Sequence, residues 1–93
     1  MLVTSPFDTL EDAVSLANDT PFGLAAAIYS NDLARVHTLI PRLHAGSVYV
    51  NAHSTIDPSM PFGGFKASGF GKDLGPEQLD YLMETMAVWI TLP

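Results

Sequence analysis

Apolar residues change their period along this 93-residue chain, and each change marks a different element. Leu2-Val3-Thr4-Ser5-Pro6-Phe7 reads as a short strand, with Pro6 placing its end or a sheet edge there. Leu10, Ala13, Val14 and Ala17 then recur at i, i+3, i+4 and i+7, the apolar stripe of an amphipathic helix. Asp8-Thr9-Leu10-Glu11 has the form of a capping box, with an acceptor at the N-cap and a carboxylate three residues on. Asn18-Asp19-Thr20-Pro21 ends the helix, because Pro21 cannot continue it. Leu24 to Tyr29 is an apolar run of strand length, although its three alanines are weak strand formers. Ser30-Asn31-Asp32 supplies N-cap candidates for a second helix, whose inward face is Leu33, Val36, Ile40 and Leu43. Pro41 removes the hydrogen bond to the carbonyl of His37 and predicts a kink or an end near Ile40. Gly46 suits the position after the helix, and Ser47-Val48-Tyr49-Val50 is a strand.

The predicted order is therefore β-α-β-α-β, which argues for an α/β fold: a partial three-layer arrangement on a mostly parallel sheet. The texture changes after Val50. Residues 51–75 hold five glycines and two prolines, the composition of a long ordered loop that is functional or leans on neighbours. A short helix from Pro76 to about Met83 follows, with Pro at N1 and Glu77 in its first turn. Ala87-Val88-Trp89-Ile90-Thr91-Leu92 reads as a C-terminal strand.

Charge and composition narrow the functional classes. Ten acids against four bases give a net charge of −6. Arg35, Arg42, Lys66 and Lys72 form no basic stripe, so neither nucleic acid nor an anionic membrane is an expected partner. No apolar run approaches the roughly 20 residues of a spanning helix. The start of the chain lacks the pattern of a signal peptide, which makes the cytoplasm the expected location. With no cysteine, the chain holds no disulfide, no thiolate ligand and no thiol nucleophile. His37, His44 and His53 are not at helical ligand spacings, so no metal site is expected. The chain is 47% hydrophobic and only 15% charged. That is apolar for so small a domain, which buries only about 60–65% of its unfolded surface, and it suggests that other protein normally covers part of it.

Two stretches go beyond generic α/β patterning. One is Asn18-Asp19-Thr20-Pro21-Phe22-Gly23-Leu24-Ala25-Ala26. The other runs from Ala45-Gly46-Ser47-Val48-Tyr49-Val50-Asn51 through Pro61-Phe62-Gly63-Gly64-Phe65-Lys66-Ala67-Ser68-Gly69-Phe70-Gly71 to Glu84. Together they resemble the C-terminal part of NAD(P)-dependent aldehyde dehydrogenases across essentially the whole chain. The resemblance implies a division into residues 1–86, the C-terminal part of a catalytic domain, and residues 87–93, a terminal oligomerisation strand. Such enzymes oxidise aldehydes to acids through a thiohemiacetal on a cysteine, with a glutamate base and hydride transfer to the nicotinamide. The resemblance places all of those residues, and the nucleotide-binding fold, upstream of the position matching Met1. It therefore implies no catalytic residue and no cofactor site in these 93 residues, NAD or NADP being needed only by the longer enzyme. The glycines do not alter this: Gly71-Lys72 is followed by Asp73, and Gly69-x-Gly71 has no third glycine or alanine, so neither phosphate-binding motif is met.

What the resemblance does imply here is supporting structure. Phe62 matches an aromatic residue lining the aldehyde tunnel, and Ile56 matches a position at its mouth; the alternative is that Phe62 only packs beneath a glycine loop. Lys72 stands where an arginine usually pairs with the glutamate matching Glu84 near a subunit interface, and it lacks the bidentate fork. Val88, Trp89 and Ile90 match the strand through which subunits associate, and an apolar edge there invites strand addition. Two other readings stand beside that of an inactive dehydrogenase fragment: a stand-alone assembly or binding module, and a non-catalytic subunit complementing a separate upstream polypeptide.

Overall fold

The computed structural model describes residues 1–93. It holds α1 (Leu10–Asn18), β1 (Phe22–Gly23), β2 (Ala25–Ile28), α2 (Leu33–Leu39), β3 (Ser47–Val50), β4 (Phe65–Lys66) and α3 (Gln78–Leu82). The α/β character and the parallel pairing are as the sequence predicts; the three-layer sheet is not formed. Instead there are two two-stranded sheets, β2 with β3 in parallel and β1 with β4 antiparallel.

Helix α1 is capped one residue later than the capping box predicts. Thr9 is the N-cap and its Oγ1 accepts the N–H of Asp12 at 3.1 Å, while Ala13 donates to the Thr9 carbonyl. Glu11 thereby moves out of the box geometry, and both its carboxylate oxygens accept from Arg42, 31 residues on. This exposed pair holds the Glu11 carboxyl below its usual range, chiefly through the hydrogen bond from Arg42 and then its charge. In α2 the cap is Asp32, whose Oδ1 accepts from the Arg35 amide at 3.1 Å. At Pro41 the helix tightens as its missing N–H requires: α2 ends at Leu39 and a 3-10 turn follows over Ile40–Arg42. The Asn18 side chain clamps the exit, donating to the Arg42 carbonyl at 2.8 Å and accepting from the His44 amide at 2.9 Å.

The parallel pair runs in the register Ala25↔Ser47 to Ile28↔Val50. It is closed at one end by Asn51, whose amide oxygen accepts from the Ser30 N–H and whose amide nitrogen donates to the Ser30 carbonyl, at 2.9 and 3.0 Å. Asn51 takes a φ of 52°, a left-handed conformation that asparagine tolerates well.

Two predicted strands are absent. Residues 2–7 and 87–92 have no regular structure. A strand is a pairing rather than a local conformation, and neither segment meets a partner within this chain. The last helix is also shorter than predicted, Gln78–Leu82 behind Glu77 at the N-cap, and the chain leaves it in extended geometry at Met83. The pair β1–β4, which joins the turn after α1 to the glycine-rich loop, carries no periodic signal because each strand has two residues.

Little is buried. Only Gly23 and Val36 are fully enclosed. The radius of gyration is 18.8 Å and the long dimension 75 Å, against about 12 Å for a compact chain of this length. The accessible surface is 7708 Å², well above the roughly 5,200 Å² expected of a folded 10 kDa monomer. No helix is long and apolar enough to cross a membrane.

Candidate functional site

The glycine-rich loop folds back on β3 and leaves a cleft of about 390 Å³. Residues 46–49 form one wall; Thr55, Ile56, Asp57, Met60, Pro61 and Phe62 form the other. The return is made by left-handed backbone at Asn51 and Ser54. His53, between them, stacks on Tyr49 with ring centroids 6.1 Å apart.

Phe62 is the most firmly held residue of the loop wall. Its N–H donates to the Asp73 carbonyl at 2.7 Å, and its carbonyl accepts from the Asp73 N–H at 2.8 Å. The next peptide is fixed by Lys72, whose Nζ donates to the Gly63 carbonyl at 2.8 Å while lying 4.7 Å from the centre of the Phe65 ring. Gly46 allows this loop to sit against the start of β3. A β-carbon there would collide with the carbonyl of Gly63. Lys66 anchors the far side of the loop by donating to the carbonyls of Asn18 and Thr20 at 3.2 and 3.0 Å. It thus supplies a cation to the carboxyl end of α1, where helix carbonyls are left without partners.

Asp57 introduces the only charge among the lining residues. Its Oδ1 accepts from both the amide and the hydroxyl of Ser59, at 2.8 and 2.6 Å. These bonds, the hydroxyl first, hold the carboxyl below its usual range. Cleft and loop together make an amphipathic wall: apolar and aromatic at Ile56, Met60, Phe62 and Tyr49, anionic at one point.

The structure therefore brings Ile56 and Phe62, 6 residues apart in sequence, to one cleft. Lys72 braces that cleft from behind and makes no ion pair with Glu84, which is exposed at the end of the α3 region; the ion pairs of the chain are Arg35–Asp32 and Arg42–Glu11. Val88, Trp89 and Ile90 lie outside the cleft on the terminal segment, with Trp89 91% exposed. Sequence reasoning singled out neither Tyr49 nor Asp57 as a lining residue. For Asp57 a signal existed: Asp57-Pro58-Ser59 is a turn-forming triplet in which the carboxylate accepts from the residue two ahead.

A nicotinamide dinucleotide needs a glycine turn and free N–H groups at a helix start behind a parallel strand. The one such junction here, between β2 and α2, is Ser30-Asn31-Asp32. It has no glycine, Ser30 is bonded to Asn51, and the carboxylate of Asp32 already occupies the helix start. This junction therefore lacks the glycine turn and the free N–H groups that would hold the cofactor's phosphates.

The profile of the aldehyde dehydrogenase family matches residues 1–88. Over 92 residues the chain is 44% identical to the NADP/NAD-dependent aldehyde dehydrogenase PuuC of Escherichia coli, which takes in 99% of this chain and 19% of that protein. It is 39% identical to the phenylacetaldehyde dehydrogenase of Pseudomonas fluorescens, covering 97% of this chain and 18% of the relative. Among solved structures it is similar to a variant of the indole-3-acetaldehyde dehydrogenase AldA of P. syringae, in complex with NAD+ and IAA. That match has a TM-score of 0.83 and 46% identity over 92% of this chain and 17% of the other. The chain thus spans about a fifth of the length of the curated relatives it matches.

Proposed function

This chain belongs to the aldehyde dehydrogenase family, and from that premise we propose that residues 1–86 are the C-terminal part of its catalytic domain and residues 87–93 its oligomerisation strand. In this reading the complete enzyme oxidises an aldehyde to a carboxylic acid with NAD or NADP. The 93 residues contribute one wall of the aldehyde tunnel, with Phe62 lining it and Ile56 at its mouth. The cleft supports this assignment: both residues face one concave, largely apolar surface, as small-molecule pockets do. Phe62 is the more suitable for fixing substrate position, because both its backbone N–H and its carbonyl are bonded to Asp73 while Ile56 is 59% exposed. Lys72 and Glu84 belong to the region nearest the subunit interface.

By themselves these residues turn over no aldehyde. Formation of an acyl-enzyme requires a sulfur nucleophile, and the sequence contains no cysteine. The chemistry is supplied by polypeptide outside this segment, and the apolar surface left exposed here is where that polypeptide packs. The test has two arms. Purified chain mixed with phenylacetaldehyde and either nucleotide is expected to form no NADH or NADPH. Grafted into the indole-3-acetaldehyde dehydrogenase in place of the matching segment, it is expected to sustain turnover. Within the graft, Phe62→Ala should raise KM roughly ten-fold or more with a smaller effect on kcat, the mark of lost substrate binding. An active graft whose KM ignores Phe62→Ala would remove Phe62 from the tunnel.

A further inference from the structure

The loop wall has a fastening that its glycines make necessary. Gly63 and Gly64 follow Phe62 directly, and two glycines in a row leave the backbone beyond Phe62 with little steric guidance of its own. What fixes it comes from residues 71–73. Asp73 exchanges both backbone bonds with Phe62, at 2.7 and 2.8 Å, in an isolated bridge that no further rung extends. Lys72 closes the glycine side of that bridge. Its stem packs so closely on Gly63 that a β-carbon there would lie 2.9 Å from Cδ, and its Nζ donates to the Gly63 carbonyl at 2.8 Å. No other donor of the chain reaches that carbonyl.

The cation is not held there by a carboxylate. Lys72 is half-buried and takes part in neither ion pair of the chain; its acceptors are a neutral carbonyl and the Phe65 ring, 4.7 Å away. A charged donor makes the stronger hydrogen bond to such a carbonyl. An apolar side chain of equal length would fill the same space and leave the carbonyl unbound. We propose that Lys72 is a positioning residue for the aldehyde, acting through the Gly63 carbonyl to hold the Phe62 ring in the tunnel wall. This rests on the reading of Phe62 as a tunnel residue, and it gives Lys72 a task separate from any pairing with Glu84. Without the ammonium, the peptide after Gly63 is free to turn and the bridge to Asp73 is open on one side. The Phe62 ring then no longer presents a fixed face to the substrate, so Lys72 matters to binding only by way of Phe62.

The experiment removes the donor and keeps the stem, with Lys72→Met. In the 93-residue chain, NMR is expected to show hydrogen exchange at the Phe62 and Asp73 amides faster by roughly five-fold or more. Exchange at the Asn51 amide, bonded to Ile28 across the parallel pair, should stay unchanged and so verify that the variant is folded. Glu84→Gln is expected to alter none of the three. In the graft into the indole-3-acetaldehyde dehydrogenase, Lys72→Met should raise KM roughly five-fold with a smaller effect on kcat. It should add nothing further once Phe62→Ala is present, because the two act through one ring. Exchange or KM that ignores Lys72→Met, in a graft where Phe62→Ala is effective, would overturn the positioning role and leave the tunnel wall standing. A KM effect that persists undiminished beside Phe62→Ala, or that Glu84→Gln reproduces, would overturn it as well. A graft without turnover, or one whose KM ignores Phe62→Ala, would remove the tunnel wall itself and this inference with it.

Discussion

At the scale of single residues, Gly46 connects strand and site. It is the only residue type that allows the carbonyl of Gly63 to approach the start of β3 so closely, and Gly63 follows Phe62 directly. Gly46→Ala therefore forces backbone against backbone, with no flexible side chain to yield. We expect it to cost about 1–3 kcal/mol locally, read as at least a ten-fold rise in hydrogen exchange at the Phe62 and Asp73 amides. Unchanged exchange there would mean that the loop reaches its position without leaning on Gly46. Lys72 illustrates a different point. Its ammonium reaches one carbonyl and one ring face, and so engages the glycine loop and not Glu84. A lysine is a point charge where an arginine would be a fork.

At the scale of elements, what was legible in the sequence is what is local. The stripe of α1, a cap within Ser30-Asn31-Asp32, the break at Pro41 and the Ser47–Val50 strand all appear where periodicity and punctuation put them. Beyond the shifted α1 cap and the shortened last helix, the errors concern pairing. Residues 2–7 and 87–92 have strand composition and no strand, because pairing needs a second chain segment that a local pattern cannot name. The opposite error is β1–β4, two short strands with no strand signal, created by the loop that folds over them. The cleft was legible in part: motif resemblance indicated Phe62 and Ile56, whereas Tyr49 and Asp57 became visible only once the loop was folded onto β3. The terminal segment carries a prediction at this scale. Val88, Trp89 and Ile90 are 71%, 91% and 81% exposed and are free to add to another edge. Sedimentation at tens of micromolar is expected to show self-association with a concentration-dependent blue shift of Trp89 emission. Ile90→Lys should return the chain to monomer. Clean monomer behaviour in the unaltered chain would argue against strand addition.

At the scale of the molecule, the decisive quantity is surface. A 10 kDa chain with two enclosed residues and a 75 Å long axis has no core of its own in the usual sense. Its extended shape is similar to the matching part of a much longer enzyme, with a TM-score of 0.83. Small-angle X-ray scattering of dilute monomer is expected to give a radius of gyration near the 18.8 Å of the structure. A value of about 12 Å would indicate collapse onto a compact fold, and the picture of a dependent segment would then be wrong.

The mutual amide clasp of Asn51 and Ser30 has a consequence for how such a chain finds its alignment. Three successive alanines in β2 present almost identical small bumps, so sliding by two positions would change their packing very little. With next to no interior to reject the slid form, discrimination falls to the end of the ladder. There a slid pair would forfeit both bonds of the clasp at once. The parallel pairing is thus indexed by one asparagine beyond its last rung, like a zip set true by its end stop.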